Sequence, residues 1–203
     1  MLKQLCPNGV EFKELKDSCD VLRGKRLIKS QLSSEYKYPV FHGSLEPLGY
    51  FNEKNRDANK VLVVNTGSVG DVGWCDREFW SSDGCFTIKT PDSIDDKFLY
   101  YYLKTQERQI KSETRTGGVP TISRETIERI RIPVPPLDIQ REIVKILDKF
   151  TELEAELEAE LEARKKQYAF YRDKLLSFKD LPPPQQKCYS LENFRGNRSF
   201  YAW

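Results

Sequence analysis

The longest regular pattern in this sequence runs from Pro136 to Phe178 and reads PLDIQREIVKILDKFTELEAELEAELEARKKQYAFYRDKLLSF. Its large apolar residues recur mostly at alternating steps of four and three, which places them in one stripe along an α-helix. Where the ELEA units repeat, the leucines are spaced four and four, a stutter that locally unwinds a coiled coil. The stripe consists of Ile139, Ile143, Ile146, Phe150, Leu153, Leu157, Leu161, Tyr168, Tyr171 and Leu175. Neither glycine nor a second proline interrupts the run, so the pattern predicts one continuous helix.

A helix of this length needs a partner to cover its apolar stripe. From Leu137 to Phe178 it would form a rod of roughly 60 Å, which a domain of this size cannot bury. A narrow apolar seam flanked by charge is typical of a coiled coil, so we expect the stripe to be a dimerisation seam that a partner helix covers. The alternative is a single solvated helix held by Glu/Arg pairs.

Three ELEA units begin at Glu152, Glu156 and Glu160 and limit the register of such a pair. Antiparallel helices centred on these glutamates would repel each other, so we expect a register that brings the basic run 164–166 toward the partner's acidic stretch. One unit more or less changes the helix length by roughly 6 Å, so the repeat also suggests a ruler.

Composition limits what the rest of the chain can be. The 203 residues are 38% hydrophobic and 12% aromatic, which is enough for one core before the helix. We expect an α+β fold with a small, mostly-β globular domain and short helices over residues 1–135, a long coiled-coil helix over 136–179, and a flexible Pro-rich and aromatic tail over 180–203. Lysine plus arginine number 33 against 31 acidic residues, so any nucleic-acid surface must come from cations clustered on one face.

The cysteines indicate the compartment. There are five, they are scattered without a C-x-x-C pair, and the chain has one histidine. Neither a zinc site nor a disulfide framework fits this pattern. Because the sequence also lacks a signal peptide and an apolar run of transmembrane length, we expect a protein of the reducing cytoplasm.

Short strands are predicted in the first domain. The segment Tyr36–Phe51 is aromatic, broken by proline and turned by glycine, and a further strand lies around Asp83–Ile88. The apolar run Val61–Val64 leads into the Gly-rich loop Asn65–Trp74. This loop lacks the fingerprint of a P-loop or a dinucleotide site, so a turn or bulge between strands is favoured over a phosphate cradle.

Serine caps and carboxylates mark the predicted helices. We expect Ser93 to cap a helix that runs through Leu103, and Ser123 to cap a short helix over Arg124–Ile130. The carboxylates near Asp95 resemble a nuclease cluster, but capping at a helix start explains them better. His42 has no acidic or nucleophilic neighbour in sequence, which favours a structural histidine over a catalytic one.

Two loops carry the chemistry of a nucleic-acid contact. One groups four cations around Gly24 and could hold phosphates, although charge runs are often merely solvated. The other, Lys111–Thr121, is polar and contains a Gly-Gly pair, which suits a mobile segment that enters a groove. Consecutive tyrosines at 100, 101 and 102 could stack on bases, but they point to different faces of a helix, so core packing is favoured for at least one.

The run ISRETIERIRIPVPPLDIQ (Ile122–Gln140), followed by REIVKILDKF and the ELEA repeats, resembles the specificity subunit of type I restriction-modification systems. LCPNGVEFKEL at the start, NTGSVGDVGW with SSDGCF, and KFLYYYL add to the resemblance, which covers residues 1 to about 179. The junction of prolines and helix and the ELEA-type repeat are its specific parts. The Gly-rich loop alone would be weak.

This resemblance implies a division of labour. A globular target-recognition domain would read one half of a bipartite DNA site, while the long helix would act as a spacer and dock the methyltransferase subunits. The family carries two such domains and two antiparallel helices, whereas this sequence has one of each, so we expect it to dimerise and to read a palindromic split target. Catalysis would belong to partner subunits: a methyltransferase using S-adenosylmethionine, and a restriction subunit using ATP and Mg²⁺. This chain would bind no cofactor or metal itself.

Loop position and chemistry select the candidate DNA contacts within that frame. They are Arg23, Lys25, Arg26, Lys29, Ser68, Arg115, Thr116, Gly118, Thr121 and Arg124. Two other functions remain open. One is a coiled-coil adaptor whose domain binds a ligand other than DNA, which the near-neutral charge favours. The other is a nuclease or methyltransferase, which the absence of a Gly-rich cofactor motif followed by an Asn-Pro-Pro-aromatic stretch disfavours.

Overall fold

The computed structural model of the chain describes residues 6–7, 9–114 and 118–178. Its strands are β1 (Phe12–Glu14), β2 (Asp20–Arg23), β3 (Tyr38–Phe41), β4 (Pro47–Phe51), β5 (Lys60–Val64), β6 (Val72–Cys75), β7 (Trp80–Ser81), β8 (Cys85–Lys89) and β9 (Arg131–Pro133). Its α-helices are α1 (Asp96–Ser112), α2 (Arg124–Glu128) and α3 (Leu137–Leu176), with 3-10 turns at Leu15–Asp17 and Lys29–Gln31. The predicted tail over 180–203 lies outside the described residues.

A four-stranded antiparallel sheet forms the centre of the domain, in the order β2-β8-β5-β6. The predicted apolar run is the buried strand β5, whose residues alternate between the two faces of the sheet. Val61 and Val63 pack in the core cluster that includes Leu99 and Leu103 of α1. Leu62 and Val64 pack on the other face in a cluster with Phe79. Because β5 is buried on both faces, it is continuously apolar.

A second sheet covers the face that carries Leu62 and Val64. It has the order β4-β3-β7, with β3 antiparallel to β4 and parallel to β7. Two aromatic pairs in edge-to-face geometry fill the space around it, Phe41 with Phe79 at a centroid distance of 5.5 Å and Phe51 with Trp80 at 5.0 Å. The short strands predicted within Tyr36–Phe51 are therefore confirmed as the β3–β4 hairpin.

The structure corrects the predicted start of α1. The N-cap is Asp95, whose Oδ1 accepts hydrogen bonds from the backbone N–H groups of Lys97 and Phe98 at 2.9 and 3.0 Å, so Ser93 as the cap was wrong. The physical reason lies in α3, because the side chain of Gln140 accepts a hydrogen bond from Asp95 N and donates one to Ser93 O. The carboxylate at 95 is thus a helix cap, as expected.

The caps and ends of the other two helices differ less from prediction. Ser123 caps α2 by accepting a hydrogen bond from Thr126 N at 3.2 Å, but α2 ends at Glu128 because β9 begins three residues later. The predicted long helix is confirmed and ends at Leu176, just before Phe178, which has a left-handed φ of 51°. The fold is therefore a mostly-β α+β domain followed by a long helix.

The chain divides into two compact units, Met1–Thr151 and Glu152–Trp203. The first includes the opening turns of α3, because Gln140 and Asp148 bond to α1 or its N-terminal approach. In the second, almost every described side chain is exposed, including the seam residues Leu153, Leu157 and Leu161. None of the described helices is long and apolar enough to cross a membrane.

Candidate nucleic-acid interface

Four loops meet at one end of the central sheet. Strands β2 and β5 end there and strands β6 and β8 begin there, since Arg23 pairs with Phe86 and Val64 with Cys85. The turn after β3 joins them because Ser82 N donates to Phe41 O at 3.0 Å. We call residues 23–29, 42–45, 65–71 and 82–84 the loop cluster. It brings together segments that lie far apart in sequence.

The backbone of the cation-bearing loop is attached to β7 and β8. Gly24 N donates to Cys85 O at 3.2 Å, and Lys25 N donates to Ser81 O at 2.9 Å. Only glycine fits at position 24, because an added Cβ would lie 2.0 Å from the carbonyl oxygen of Ser82. The loop therefore lies directly against the β7–β8 turn.

The carbonyl groups of this loop are held from the other side. Arg56 Nη2 donates to Arg23 O at 3.0 Å, and the indole Nε1 of Trp80 donates to Lys25 O at 2.7 Å. With both N–H and C=O groups bonded, the backbone at Arg23–Lys25 is fixed and its side chains are directed outward.

The four cations of this loop are exposed, at Arg23, Lys25, Arg26 and Lys29. Across the described residues, none of the four forms an ion pair. Other lysines of the domain do have carboxylate partners: Lys54, Lys60, Lys97 and Lys111 pair with Asp57, Asp96, Asp148 and Asp71. The loop 23–29 thus carries four positive charges without a carboxylate partner among the described residues, which favours phosphate binding.

The predicted Gly-rich loop is a tight turn in the loop cluster, which agrees with the favoured interpretation as a turn between strands. Ser68 is exposed, and its N–H donates to Gly43 O at 2.9 Å. Gly67 has a φ of 91° and approaches Gly43 so closely that a Cβ there would lie 2.2 Å from the carbonyl oxygen. Thr121 reaches this turn through an isolated antiparallel bridge to Thr66. The structure therefore brings Ser68 and Thr121 to the cluster that bears the cations.

The remaining candidates differ in position. Gly118 is exposed, while Arg115 and Thr116 lie outside the described residues. Arg124 Nε donates to Glu128 Oε1 at 2.6 Å, one helical turn later, so a DNA phosphate would have to compete with this pair.

Sequence reasoning missed His42 as a candidate for this surface. Its side chain is 39% exposed, and Nδ1 lies 3.2 Å from both Ser82 Oγ and Asp83 Oδ1. Ser82 is 40 residues away in sequence, so inspection of the residues near His42 could not find these partners. The histidine is hydrogen-bonded, as predicted, but it lies within the loop cluster.

The three consecutive tyrosines belong to other contacts. Tyr100 packs against Trp74 at a centroid distance of 5.9 Å. The hydroxyl of Tyr101 donates to Asp148 Oδ1 at 2.6 Å, and that of Tyr102 donates to Arg131 O at 2.9 Å. The hydroxyl groups of Tyr101 and Tyr102 therefore fix α1 against its neighbours. Tyr100 and Tyr102 pack against the core cluster, as the favoured interpretation predicts for at least one of the three.

The carboxylates near Asp95 and the buried cysteines have structural explanations in the described ranges. Asp95 caps α1, and Asp96 pairs with Lys60 at 2.8 Å, so these carboxylates have structural roles. No group of three potential metal ligands occurs in the described part of the chain. Burial raises the pKa of the Cys19 thiol to about 12 and that of Cys85 to about 11, so both are protonated and unreactive at neutral pH.

The beginning of the seam contributes to an apolar groove inside the first unit. Ile139, Ile143 and Leu147 of α3 form one wall, and Phe98 and Tyr101 of α1 form another. The groove has a volume of about 360 Å³ and is also lined by Cys6, Val10, Phe12, Tyr102, Thr105, Pro133 and Pro135. Ile146 is half-buried, while Phe150, Tyr168, Tyr171 and Leu175 are each more than half exposed.

Comparison with known proteins identifies the family. Residues 7–163 match the family described as "Type I restriction modification DNA specificity domain". The chain belongs to this family. The EcoR124I/EcoR124II specificity subunit of Escherichia coli is 39% identical over 173 residues, which cover 77% of this chain and 41% of that protein. The Escherichia coli EcoprrI specificity subunit is 32% identical over 176 residues, covering 79% and 41%.

A solved structure agrees with this assignment. The type I restriction-modification S subunit from M. genitalium matches with a TM-score of 0.67 and 26% identity over 85% of this chain and 47% of its own. The chain spans about half the length of the curated relatives it matches.

Proposed function

We propose that this chain is the DNA-recognition component of a type I restriction-modification complex and that it reads one half of a bipartite target. The observation that carries the proposal is the loop at Arg23–Lys29, whose backbone is held by hydrogen bonds. Its four exposed cations have no carboxylate partner among the described residues. Ser68 and Thr121 lie on the neighbouring turn and would contribute neutral hydrogen bonds to bases or phosphates. The chain supplies no catalytic residues in this proposal.

The long helix would pair two copies of the chain and dock the methyltransferase subunits. A chain with one recognition domain reads a two-part site when two copies pair, and the exposed apolar seam of α3 is the surface for that pairing. In an antiparallel pair, the C-terminal half of the partner's helix would lie beside the groove lined by Ile139, Ile143 and Leu147.

Intrachain ion pairs affect the register of this dimer. Arg164 pairs with Glu160 at 3.3 Å and Lys165 with Glu162 at 2.7 Å, so a partner's glutamates would have to compete with them. The helix would also dock the methyltransferase subunits. S-adenosylmethionine, ATP and Mg²⁺ would then act on partner subunits, in the cytoplasm.

The first test measures the dependence of DNA affinity on salt. We expect binding of a fluorescent duplex to weaken steeply with salt. The variant R23Q/K25Q/R26Q/K29Q should reduce the slope of log K against log salt by up to about 0.9 for each phosphate that the loop no longer neutralises. The matched control is K16Q/K89Q/R129Q/R131Q. It removes the same charge, and Lys89 lies at the opposite end of the sheet, where it pairs with Asp20.

The outcomes separate the candidate functions. Equal slopes for the two variants would refute the assignment of the loop cluster as the DNA surface. A wild-type chain without a salt slope would favour the adaptor function instead. Light scattering of the chain, alone and with an equimolar methyltransferase subunit, tests the rest of the proposal. We expect a dimer that recruits the methyltransferase, whereas a monomer that recruits nothing would contradict pairing through α3.

A further inference from the structure

The loop cluster contains one polar side chain whose orientation is fixed by residues distant in sequence. The Nδ1 atom of His42 is 3.2 Å from Ser82 Oγ and 3.2 Å from Asp83 Oδ1. Ser82 is 1% exposed, and its backbone is held at both ends, by the hydrogen bond from its N–H to Phe41 O and by that from Cys85 N to its carbonyl. The imidazole is therefore held by a rigid turn.

The surrounding hydrogen bonds determine the tautomer of His42. The Ser82 hydroxyl donates to Asp83 Oδ1 at 3.1 Å, which leaves its oxygen as an acceptor toward the imidazole. The Asp83 carboxylate can only accept. Since both neighbours of Nδ1 are acceptors, Nδ1 carries the proton in the neutral ring and Nε2 has a free lone pair.

The Nε2 atom has no hydrogen-bond partner among the described residues, and it is not a buried atom. The Nδ1–Cε1 edge of the ring instead faces Gly84, where an added Cβ would lie 3.0 and 3.2 Å from those two atoms. His42 thus presents an unmet hydrogen-bond acceptor in the same loop cluster as the cation-bearing loop 23–29.

We propose that His42 is a specificity-determining residue that accepts a hydrogen bond at Nε2 from an exocyclic amino group of a base in the half-site. This inference rests on the proposed function of the loop cluster. The neutral ring cannot form this bond with a phosphate oxygen, because both atoms are then acceptors. The donors that base pairs expose in the grooves are the N4 amino group of cytosine and the N6 amino group of adenine in the major groove, and the N2 amino group of guanine in the minor groove.

The two parts of the cluster have complementary roles in this arrangement. The cations on Arg23–Lys29 bind phosphates of any sequence, which positions the domain on the duplex. His42 lies across the β7–β8 turn from Gly24 and beside the Gly43–Ser68 contact, so it occupies the middle of the cluster. An acceptor in that position distinguishes bases by the presence of an amino group.

The experiment begins with selection of bound sequences from a randomised duplex pool by the full chain. Each amino-bearing base of the selected half-site is then replaced singly by an analogue without that group: purine for adenine, pyrimidin-2-one for cytosine and hypoxanthine for guanine. Affinities are measured for wild type, His42→Ala, His42→Gln and the control Gln109→Ala. Gln109 is exposed on α1, outside the loop cluster.

We expect one analogue position to weaken wild-type binding about three- to tenfold and to leave His42→Ala binding nearly unchanged, because that variant has already given up the same hydrogen bond. The analogue that shows this coupling identifies the base. His42→Gln retains a side-chain acceptor and should keep part of the discrimination, and Gln109→Ala should behave as wild type. Equal urea midpoints for the His42 variants and wild type would exclude a folding defect as the cause.

Two results would overturn the inference in distinguishable ways. If wild type selects a half-site and every analogue weakens wild type and His42→Ala equally, His42 reads no base while the proposed function stands. If wild type selects no sequence at all, the proposed recognition function itself is refuted, and the role of His42 is refuted with it.

Discussion

Gln140 provides the sharpest test of how the long helix is joined to the recognition domain. Its side chain is fully buried and makes three hydrogen bonds to backbone groups outside α3 or at its approach. Oε1 accepts from Asp95 N at 2.8 Å, and Nε2 donates to Ser93 O at 3.0 Å and to Pro135 O at 2.8 Å. Gln140→Met keeps the length of the side chain and removes all three bonds.

The expected cost follows from the environment of each partner. Ser93 is exposed and Asp95 is half-buried, so in the variant water can bond to part of the backbone groups that Gln140 no longer reaches. The loss of each of these two hydrogen bonds should therefore cost about 1 kcal/mol. Pro135 is buried, and leaving its carbonyl unpaired costs about 2 kcal/mol. The free energy of unfolding should therefore fall by about 4 kcal/mol, a large part of the stability of a typical domain.

Urea unfolding followed by tryptophan fluorescence measures this change. With a urea slope of about 2 kcal/mol per molar for a domain of this size, the midpoint should fall by about 2 M. Gln109→Met makes the same chemical change on the exposed surface of α1 and should shift the midpoint by less than about 0.3 M. Equal shifts for the two variants would show that the buried amide does not fix α3 to the domain.

Three further predictions concern the loop, the helix and pH. Gly24→Ala should destabilise the domain by at least about 2 kcal/mol, because its Cβ would overlap Ser82 O, and a thermal melt that is unchanged would refute the close approach. A fourth ELEA unit should lengthen the preferred spacer between half-sites by one or two base pairs without changing either half-site, and methylation of a spacer library that still prefers the original spacing would contradict it. Partial burial alone would raise the pKa of Asp148, but hydrogen bonds from Lys97 and Tyr101 outweigh it and hold the pKa below its ordinary value. This carboxylate therefore stabilises the fold above its ordinary pKa near 4, and the contribution is lost as the pH falls from that value through the lower pKa of the folded state. Asp148→Asn should then be less stable than wild type at pH 7, by no more than about 1 kcal/mol since the pair is more than a third exposed, and the two should converge near pH 2; a difference that persists in acid would refute the linkage.

Periodicity and local chemistry predicted the parts of the fold that depend on neighbours in sequence. The stripe from Ile139 to Leu175 predicts α3, and the continuous apolar run at Val61–Val64 predicts a strand, which the structure shows to be buried on both faces. The wrong N-cap predicted for α1 has its origin in a contact between residues that are distant in sequence. Ser93 and Asp95 are both good N-caps by propensity, and the choice between them is made by Gln140, which lies 45 residues beyond Asp95.

The candidate site could be predicted only in pieces. Sequence indicated a cation loop and a glycine turn as separate features, but not that both lie against the β7–β8 turn. That proximity depends on the register of β2, β5 and β8, which no local pattern specifies. His42 was assigned a structural role because its partners Ser82 and Asp83 come from another strand connection.

The hydrogen bonds of the loop cluster show which residues are needed to hold the loop in place and which side chains can change. The backbone at Arg23–Lys25 is held through its own N–H and C=O groups, by Ser81 and Cys85 on one side and by Arg56 and Trp80 on the other. None of these bonds involves the side chains of Arg23 or Lys25, so those side chains can change without altering the position of the loop. Under the proposed function, the phosphate contacts of this loop can therefore change through exposed substitutions alone, which are usually within about 0.5 kcal/mol of neutral for stability. Gly24 and Trp80 are excluded from such variation, because the close approach and the indole N–H are what keep the loop in place.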